Sequence, residues 1–134
     1  MIPVVVVDPE RVAWKGEAEQ VVFSIEDGQV GILTGHADSA FAIKPCIARI
    51  KPADGEERKF FLSGGVARIE KGALTVLADS AETPEQIDRR RAEEARQRAQ
   101  ERLASASRDV DYDRARLALL RAIYRLQMVG SPLD

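Results

Sequence analysis

The sequence is poor in the residues that build disulfides and metal sites. Its 134 residues include one cysteine, Cys46, and one histidine, His36. A single cysteine excludes an internal disulfide and fits a reducing compartment. One cysteine and one histidine cannot close a metal site, so no metal site is predicted. Because Cys46 lies in an apolar run, we expect a small buried side chain there rather than a nucleophile.

Long apolar runs and a strong net charge are also missing. No segment approaches the ~20 apolar residues that span a bilayer, and the start of the chain lacks the basic flank and cleavage site of a signal peptide. The formal net charge of −2 provides no general attraction to nucleic acid or to a membrane surface. We therefore expect a water-soluble, cytoplasmic-type protein that neither binds nucleic acid nor inserts directly into a membrane, although it could dock on something membrane-bound.

Glycine and lysine are nearly absent from the C-terminal part, and this absence divides the chain. Eight of the nine glycines and all five lysines precede Pro84, whereas eleven arginines and many alanines follow Asp79. Short β-branched runs favour a sheet in the first part, and alanine with arginine favours helices in the second. The break predicts two domains, residues 1–82 and residues 83–134.

The first part predicts an antiparallel β-sandwich of about ten short strands, in a protein that is mostly β with an added α-helical part. Turn signals such as Lys71-Gly72 separate short β-branched runs, a pattern typical of sandwiches. Val12–Trp14 and Gln20–Ile25 are assigned to separate strands, and Gly64-Gly65 to a hairpin turn.

The second part predicts two helices that form an antiparallel hairpin. Thr83 is expected to cap the first helix, because Pro84 suits the first helical position and Gln86 completes a capping box. This helix is predicted to end near Ala104. The second helix is predicted to begin after Asp109 or Asp111 and to end at Met128 or Val129, before Gly130. The exit between the two helices is short, which favours an antiparallel pair.

His36, Asp38 and Ser39 lie close together in the sequence and raise the alternative of a small hydrolase. Catalytic triads are assembled in space and are not recognised by sequence adjacency. We therefore predict no catalytic residue.

Arginines are the strongest candidates for ligand binding. Arg91 and Arg98 share a face of the first helix with Asp88, and Arg121 and Arg125 are four residues apart on the second. If the helices fold back to back, several guanidiniums converge, and their donor forks suit a polyphosphate. The alternative is a solvated face of Glu–Arg pairs, each worth a few tenths of a kcal/mol. Spacing alone leaves both open.

Three ordered blocks of sequence resemble a known family. The first is Gly28-Gln-Val-Gly-Ile-Leu-Thr-Gly-His36-Ala, similar to the family pattern Gly-Glu-Leu-Gly-Ile-x-Pro-Gly-His-Ala. The second combines Leu62-Ser-Gly-Gly-Val66 with Leu74-Thr-Val-Leu-Ala-Asp79-Ser-Ala-Glu82, and the third runs from Asp109-Val-Asp-Tyr112 through Ala115-x-x-Ala-Leu-x-Arg-Ala122. Over essentially its whole length the chain resembles the ε subunits of bacterial rotary F-type ATP synthases.

The resemblance implies a non-catalytic subunit of the central stalk that couples rotation to ATP synthesis. Its sandwich would bind the γ subunit and the c-ring, and its helical hairpin would inhibit ATP hydrolysis when extended into the α/β head. It also implies a peripheral location at the cytoplasmic face of the bacterial plasma membrane. The alternative to this reading is a free-standing β-sandwich that serves as a ligand-binding or interaction module.

The resemblance further implies an ATP site in the hairpin, with ATP as a regulatory ligand and no required cofactor. Some family members bind ATP through an Ile-Asp-x-x-Arg-Ala motif, which Ile87-Asp88-Arg-Arg-Arg91-Ala92 matches. The other residues in similar positions are Glu82, Arg98, Arg121 and Arg125.

The resemblance also implies a c-ring contact at Gln29 and His36, with two departures from the family pattern. Gln29 stands where a glutamate is usual, and Thr34 replaces a proline. Because Gln29 removes a charge, we predict that docking on the ring is less sensitive to salt than in a Gln29→Glu variant.

Overall fold

The computed structural model describes residues 1–25, 28–33 and 35–130, so the turn position Thr34 lies outside the described residues. A β-sandwich is followed by two helices, as predicted, and nine strands lie in the described part of the chain. They are β1 Ile2–Val7, β2 Val12–Ile25, β3 Gly28–Leu33, β4 Ser39–Ile43, β5 Cys46–Pro52, β6 Arg58–Leu62, β7 Gly65–Glu70, β8 Ala73–Ala78 and β9 Ala81–Glu82.

The long strand β2 belongs to both layers of the sandwich. The strand order is β4-β7-β8-β1-β2-β5-β6-β9, with β3 also paired to β2. The first part of β2 pairs with β1, and the second part, after a register shift between Ala18 and Gln20, pairs with β3 and β5. A bulge of this kind bends a strand and lets it pass from one layer to the other. Side chains from both layers, including Val4, Phe23 and Ile50, form one core.

Two predicted strands are joined in the structure. Val12–Trp14 and Gln20–Ile25 are the two ends of β2, so their assignment to separate strands is wrong. Gly16 and Ala18 face inward between charged outward positions, and their small size hides the period-two pattern. A Cβ at Gly16 would lie 3.0 Å from the Trp14 ring, so the missing side chain leaves room for the indole.

The Gly64-Gly65 pair is a crossing between layers, and its assignment to a hairpin turn is wrong. β6 pairs with β5 and β9, whereas β7 pairs with β4 and β8. The β6–β7 connection is bonded to the β8–β9 connection, which crosses in the opposite direction: the Ser63 N–H donates to the Ser80 carbonyl at 3.1 Å, and the Asp79 N–H to the Gly64 carbonyl at 2.8 Å. Lys71-Gly72 does form the predicted hairpin turn, between β7 and β8.

The sheet departs from a purely antiparallel pattern at one pair. β1 and β8 run parallel, while the other pairs of described strands are antiparallel. The parallel pair follows from the crossing connections, which bring β8 back beside β1 from another part of the chain.

The helices are α1, Arg89–Ala104, and α2, Tyr112–Met128, preceded by a 3-10 turn at Pro84–Gln86. The prediction that Thr83 opens the first helix is wrong: Thr83 caps the 3-10 turn, and Ile87 is extended. The cap of α1 is Asp88, whose side chain accepts a hydrogen bond from the Arg91 N–H. Asp111 caps α2 in the same way, which selects one of the two predicted caps.

The two helices pack through small side chains. Ala92 and Ala99 on α1 are buried, as are Ala115, Ala122 and Leu126 on α2. Alanine faces allow close approach of the helix backbones, and α2 also contacts β5 and β6. The hairpin is therefore attached to the sandwich chiefly through α2. None of the described helices is long and apolar enough to cross a membrane.

Candidate functional site

A cavity of about 490 Å³ lies between the segment that follows β9 and the first turns of α1. Its volume falls in the usual range for small-molecule sites. It is lined by Glu82, Gln86, Ile87, Asp88, Arg91, Ala92, Glu94, Ala95, Arg98 and Arg125.

The cavity brings together seven of the eight residues proposed from the sequence as nucleotide ligands. The seven are Glu82, Ile87, Asp88, Arg91, Ala92, Arg98 and Arg125. Arg121 is not among the lining residues. Its Nε donates to the Ser63 carbonyl at 3.5 Å, and it thus contacts the crossing between the layers of the sandwich.

Each residue from Asp88 to Arg91 has a different task. The Asp88 carboxylate caps α1 by accepting from the Arg91 N–H at 3.0 Å. Arg89 Nη2 donates to the Val129 carbonyl at 2.6 Å and thereby joins the start of α1 to the end of α2. Arg90 pairs with Glu94 at 3.3 Å. Of these four residues Asp88 and Arg91 line the cavity, and within the described part of the chain the Arg91 guanidinium has no partner.

Two guanidiniums in the cavity are available to a ligand. Within the described part of the chain, the side chains of Arg91 and Arg98 make no hydrogen bond or ion pair, and both residues are exposed. They are seven residues apart, two helical turns, and so lie on one face of α1. Guanidiniums bind phosphate oxygens through two parallel hydrogen bonds. The arrangement suits a ligand that carries several phosphates.

Arg125 is the cavity residue that joins the hairpin to the sandwich. Its Nε donates to Glu82 Oε1 at 2.8 Å, and both side chains are less than a third exposed. Its guanidinium also lies 4.6 Å from the centre of the Phe61 ring, a cation–π arrangement. These contacts link α2 to β9 through Glu82 and to β6 through Phe61.

Sequence reasoning missed three residues that line the cavity: Gln86, Glu94 and Ala95. Helical periodicity provides a signal for two of them, because positions 91, 94, 95 and 98 fall on one helix face. The sequence pattern predicts only a capping-box role for Gln86. Its Oε1 does accept from the Thr83 N–H at 2.9 Å, but it also faces the cavity.

Gln29 and His36, the proposed c-ring contacts, are both exposed; Gln29 lies near the start of β3, and His36 lies three residues after its end. Gln29 Nε2 donates to Ser24 Oγ at 3.5 Å. The structure does not bring the two residues together, and their contact with the ring stays a prediction.

The arrangement needed for a His36-based hydrolase is not formed. His36 Nδ1 lies 3.0 Å from the Ala37 carbonyl, and the Asp38 carboxylate accepts from the Lys71 N–H at 3.0 Å. Ser39 Oγ donates to the Ala37 carbonyl. Among the described residues, His36 is therefore hydrogen-bonded neither to Asp38 nor to Ser39.

Cys46 is fully buried in the core, as predicted. Burial raises the pKa of its thiol to about 12, because the thiolate would lose its solvation. The side chain therefore packs as a hydrophobe. Among the described residues no cluster of His, Cys, Asp and Glu could hold a metal ion.

Comparison with known proteins gives consistent results over both parts of the chain. The family "ATP synthase, Delta/Epsilon chain, beta-sandwich domain" matches residues 1–84, and "ATP synthase, Delta/Epsilon chain, long alpha-helix domain" matches residues 85–130. The ATP synthase epsilon chain of Clostridium novyi (strain NT) is 42% identical over 124 residues, which cover 92% of this chain and 94% of that one.

Solved structures support the fold. A chain of the Euglena gracilis mitochondrial ATP synthase, in a complex described as OSCP/F1/c-ring, matches with a TM-score of 0.80 at 21% identity, over 94% of this chain and 79% of that one. A chain of the Tetrahymena thermophila mitochondrial ATP synthase, described as central stalk/c-ring, matches with a TM-score of 0.59 at 11% identity, over 96% of both. With the sequence matches over both parts, the chain belongs to the ATP synthase delta/epsilon family, as an epsilon chain, a subunit other than the catalytic one.

Proposed function

We propose that this epsilon chain is a non-catalytic central-stalk subunit that couples rotation to ATP synthesis and, through its helices, inhibits ATP hydrolysis. The partners in this proposal are the γ subunit, the c-ring and the α/β head. Its location is peripheral, at the cytoplasmic face of the bacterial plasma membrane. Support comes from family membership and from the Tetrahymena chain of similar fold, which is described as part of a central stalk and c-ring.

The γ subunit is proposed to dock on the outer face of the layer that contains β1. Strand register places Ala42, Val66, Leu77, Val7 and Val12 side by side across this layer. Val12, Val66 and Leu77 are each more than 40% exposed. An exposed apolar row of this kind is typical of a protein interface. Among the described residues, α2 contacts β5 and β6, while Val12, Val66 and Leu77 stay exposed in this row.

The helical hairpin, residues 83–134, is proposed to be a regulatory arm and residues 1–82 its base. The polar contacts of α2 with the sandwich include those of two arginines, Arg121 on Ser63 and Arg125 on Glu82 and Phe61. Contacts made by exposed or half-buried polar side chains can be exchanged for contacts elsewhere. This supports an arm with a compact, docked state and an extended, inhibitory state.

ATP is proposed to bind the cavity and stabilise the docked arm. The observation that carries this is the gathering of Arg91, Arg98 and Arg125 around one cavity, with two of the guanidiniums unpaired in the described chain. Arg91 and Arg98 would bind phosphate oxygens, and the Asp88 carboxylate could accept from an amine or hydroxyl. Because Arg125 and Glu82 come from α2 and β9, the complete cavity exists only while the arm is docked.

The free energy of ATP binding limits how far ATP alone can shift the arm between its two states. Free ATP at a hundred times its Kd favours the binding state by about 2.7 kcal/mol. A shift of the arm from 1:99 to 99:1 requires about 5.5 kcal/mol of differential binding. ATP alone can therefore shift only a nearly balanced equilibrium, and contacts with γ and the α/β head must supply the rest.

Calorimetry of the full chain with ATP tests the site. We expect measurable heat of binding that Arg91→Ala reduces strongly, and that Arg125→Ala also reduces because it breaks the ion pair with Glu82. Arg58→Ala is the matched control, since Arg58 is exposed and lies outside the cavity. Absence of heat, or equal heat from the cavity variants, would contradict the ATP site.

Deletion of residues 84–134 tests the proposed inhibition of ATP hydrolysis by the helices. In an ATP synthase assembled with the shortened chain, ATP hydrolysis should rise, because the sandwich stays bound to γ while the inhibitory helices are gone. Unchanged hydrolysis would leave the chain with a structural role in the stalk and remove the proposal of inhibition.

A further inference from the structure

The turn between β1 and β2 contacts the segment that leads into the arm. Asp8 Oδ2 accepts from the Ala81 N–H at 3.3 Å, and Arg11 Nη2 donates to the Ala81 carbonyl at 3.2 Å. Both backbone polar groups of this buried residue are thus bound by side chains seventy residues away in the sequence. We call Asp8, Arg11 and the groups they bind the clasp.

The clasp extends to a side chain of the candidate site. Arg11 Nη2 also donates to Gln86 Oε1 at 2.7 Å, and the same oxygen accepts from the Thr83 N–H at 2.9 Å. Gln86 and Glu82 line both the candidate site and a second cavity of about 370 Å³ around Asp8 and Arg11. The clasp and the candidate site therefore share Gln86, and Glu82 is common to the two cavities.

The hydrogen bonds of Gln86 decide what it can offer a ligand. An amide oxygen has two lone pairs, and both are used by Arg11 and Thr83. These two donors also fix which side-chain atom is oxygen and which is nitrogen. Within the described part of the chain, the group left for a ligand is the side-chain NH₂, a donor of two hydrogen bonds.

We propose that Gln86 binds an acceptor atom of the nucleotide through its NH₂ group, and that Arg11 is the positioning residue that orients it. The acceptor is a phosphate oxygen or a ring nitrogen of the base. This inference rests on the proposed ATP site and adds two residues that the Ile-Asp-x-x-Arg-Ala motif does not contain. Arg11 acts through Gln86, since it lines the neighbouring cavity and not the site itself.

The clasp is tested first, without nucleotide. Amide hydrogen exchange of Ala81 and Thr83 in the full chain should become roughly two- to tenfold faster in Arg11→Ala, the factor expected for loss of one hydrogen bond. Arg58→Ala should leave both rates unchanged. Unchanged exchange in Arg11→Ala would overturn the clasp whether or not the chain binds ATP.

The ligand role is tested with Gln86→Glu, which keeps an oxygen acceptor for Arg11 and Thr83 but removes the NH₂ donor. We expect normal protection of Thr83 and a Kd for ATP about tenfold higher. The loss should persist at high salt, which screens charge repulsion but does not restore a donor. An unchanged Kd would overturn the assignment of Gln86.

Two further comparisons complete the test. Arg11→Ala should raise the Kd for ATP by about three- to tenfold. Faster exchange with an unchanged Kd would overturn its role as a positioning residue.

Binding of inorganic triphosphate identifies the acceptor. If Gln86→Glu weakens the binding of triphosphate as much as that of ATP, the acceptor is a phosphate oxygen; if it weakens only the binding of ATP, the acceptor is on the nucleoside. No ATP binding by the unsubstituted chain would overturn the proposed site and the ligand role together, but not the clasp.

Discussion

At the scale of single residues, backbone positions and charge partners decide which side chains the fold tolerates. Gly65 lies in β7 with φ of 144°, a conformation that L side chains rarely adopt. A Cβ there would lie 2.2 Å from the Leu77 carbonyl oxygen. Glycine is thus required where the chain crosses from one layer to the other.

Gly65→Ala should therefore destabilise the protein by about 3 kcal/mol or more, since backbone strain adds to a steric overlap that β8 must move to relieve. Urea unfolding followed by circular dichroism measures the loss. Gly55→Ala is the control, because no atom lies within 4 Å of its Cβ position, and it should change stability by less than about 0.5 kcal/mol. Equal effects would contradict the steric argument.

Asp8 makes stability depend on pH in acid. Partial burial acts to raise the pKa of its carboxyl, but three backbone N–H donors and the Arg11 guanidinium outweigh burial and hold the pKa below its ordinary value of 3.8. A depressed pKa stabilises the fold above the unfolded value, and this contribution is lost as the pH falls through the folded pKa.

Asp8→Asn should therefore be less stable than the unsubstituted chain at pH 7, and the difference should shrink as the pH falls below about 4. The asparagine does not titrate, so only the unsubstituted chain loses the contribution. Urea unfolding at pH 7 and pH 3 measures both differences. A difference of the same size at the two pH values would show that Asp8 acts without its charge.

At the scale of elements, alanine faces and aspartate caps build the hairpin. Ala122 is completely buried at the centre of α2, where small side chains permit close packing. Asp88 and Asp111 bond the first turns of the two helices. The hairpin depends on the small volume of its facing residues more than on apolar area.

Ala122→Leu should destabilise the docked hairpin by about 1–3 kcal/mol, because the added carbons have no space without separating the helices. Faster hydrogen exchange of the α2 amides in the full chain measures the effect. Ala104→Leu adds the same volume at an exposed helix end and should leave these rates unchanged. Slower exchange in Ala122→Leu would mean that the helices leave a cavity there.

Sequence predicted the sandwich and the hairpin for definable physical reasons, whereas the family resemblance supplied several of the residues that line the cavity. Local propensity and capping are readable from neighbouring residues, as at Asp111. The middle of β2, around Gly16, was not predicted as strand. A small inward residue removes the alternation of apolar and polar side chains on which strand prediction depends. Asp88, and not the predicted Thr83, caps α1. The chain at Pro84–Gln86 forms a separate 3-10 turn, and its Gln86 is bonded to Arg11, 75 residues away in the sequence. Contacts of that kind have no local signal.

At the scale of the whole molecule, the proposed binding of ATP is separable from the attachment of the arm. Arg121 contacts Ser63 outside the cavity, so it holds the docked arm without reaching a ligand there. Arg91 lines the cavity and has no partner in the described sandwich. In the proposed function, Arg121 therefore serves docking and Arg91 serves the ligand.

The two arginines should have different effects on hydrolysis by an assembled ATP synthase. Arg121→Ala removes a docking contact, so it should favour the extended arm by a factor of about two to ten and deepen inhibition at low and at high ATP. Arg91→Ala should leave inhibition at low ATP unchanged and abolish only its relief by high ATP. Steady-state hydrolysis at both concentrations, with Arg58→Ala as control, separates the two. If the two variants respond to ATP identically, docking and ligand binding are one function, and Arg121 must reach the nucleotide as its place in the family pattern implies.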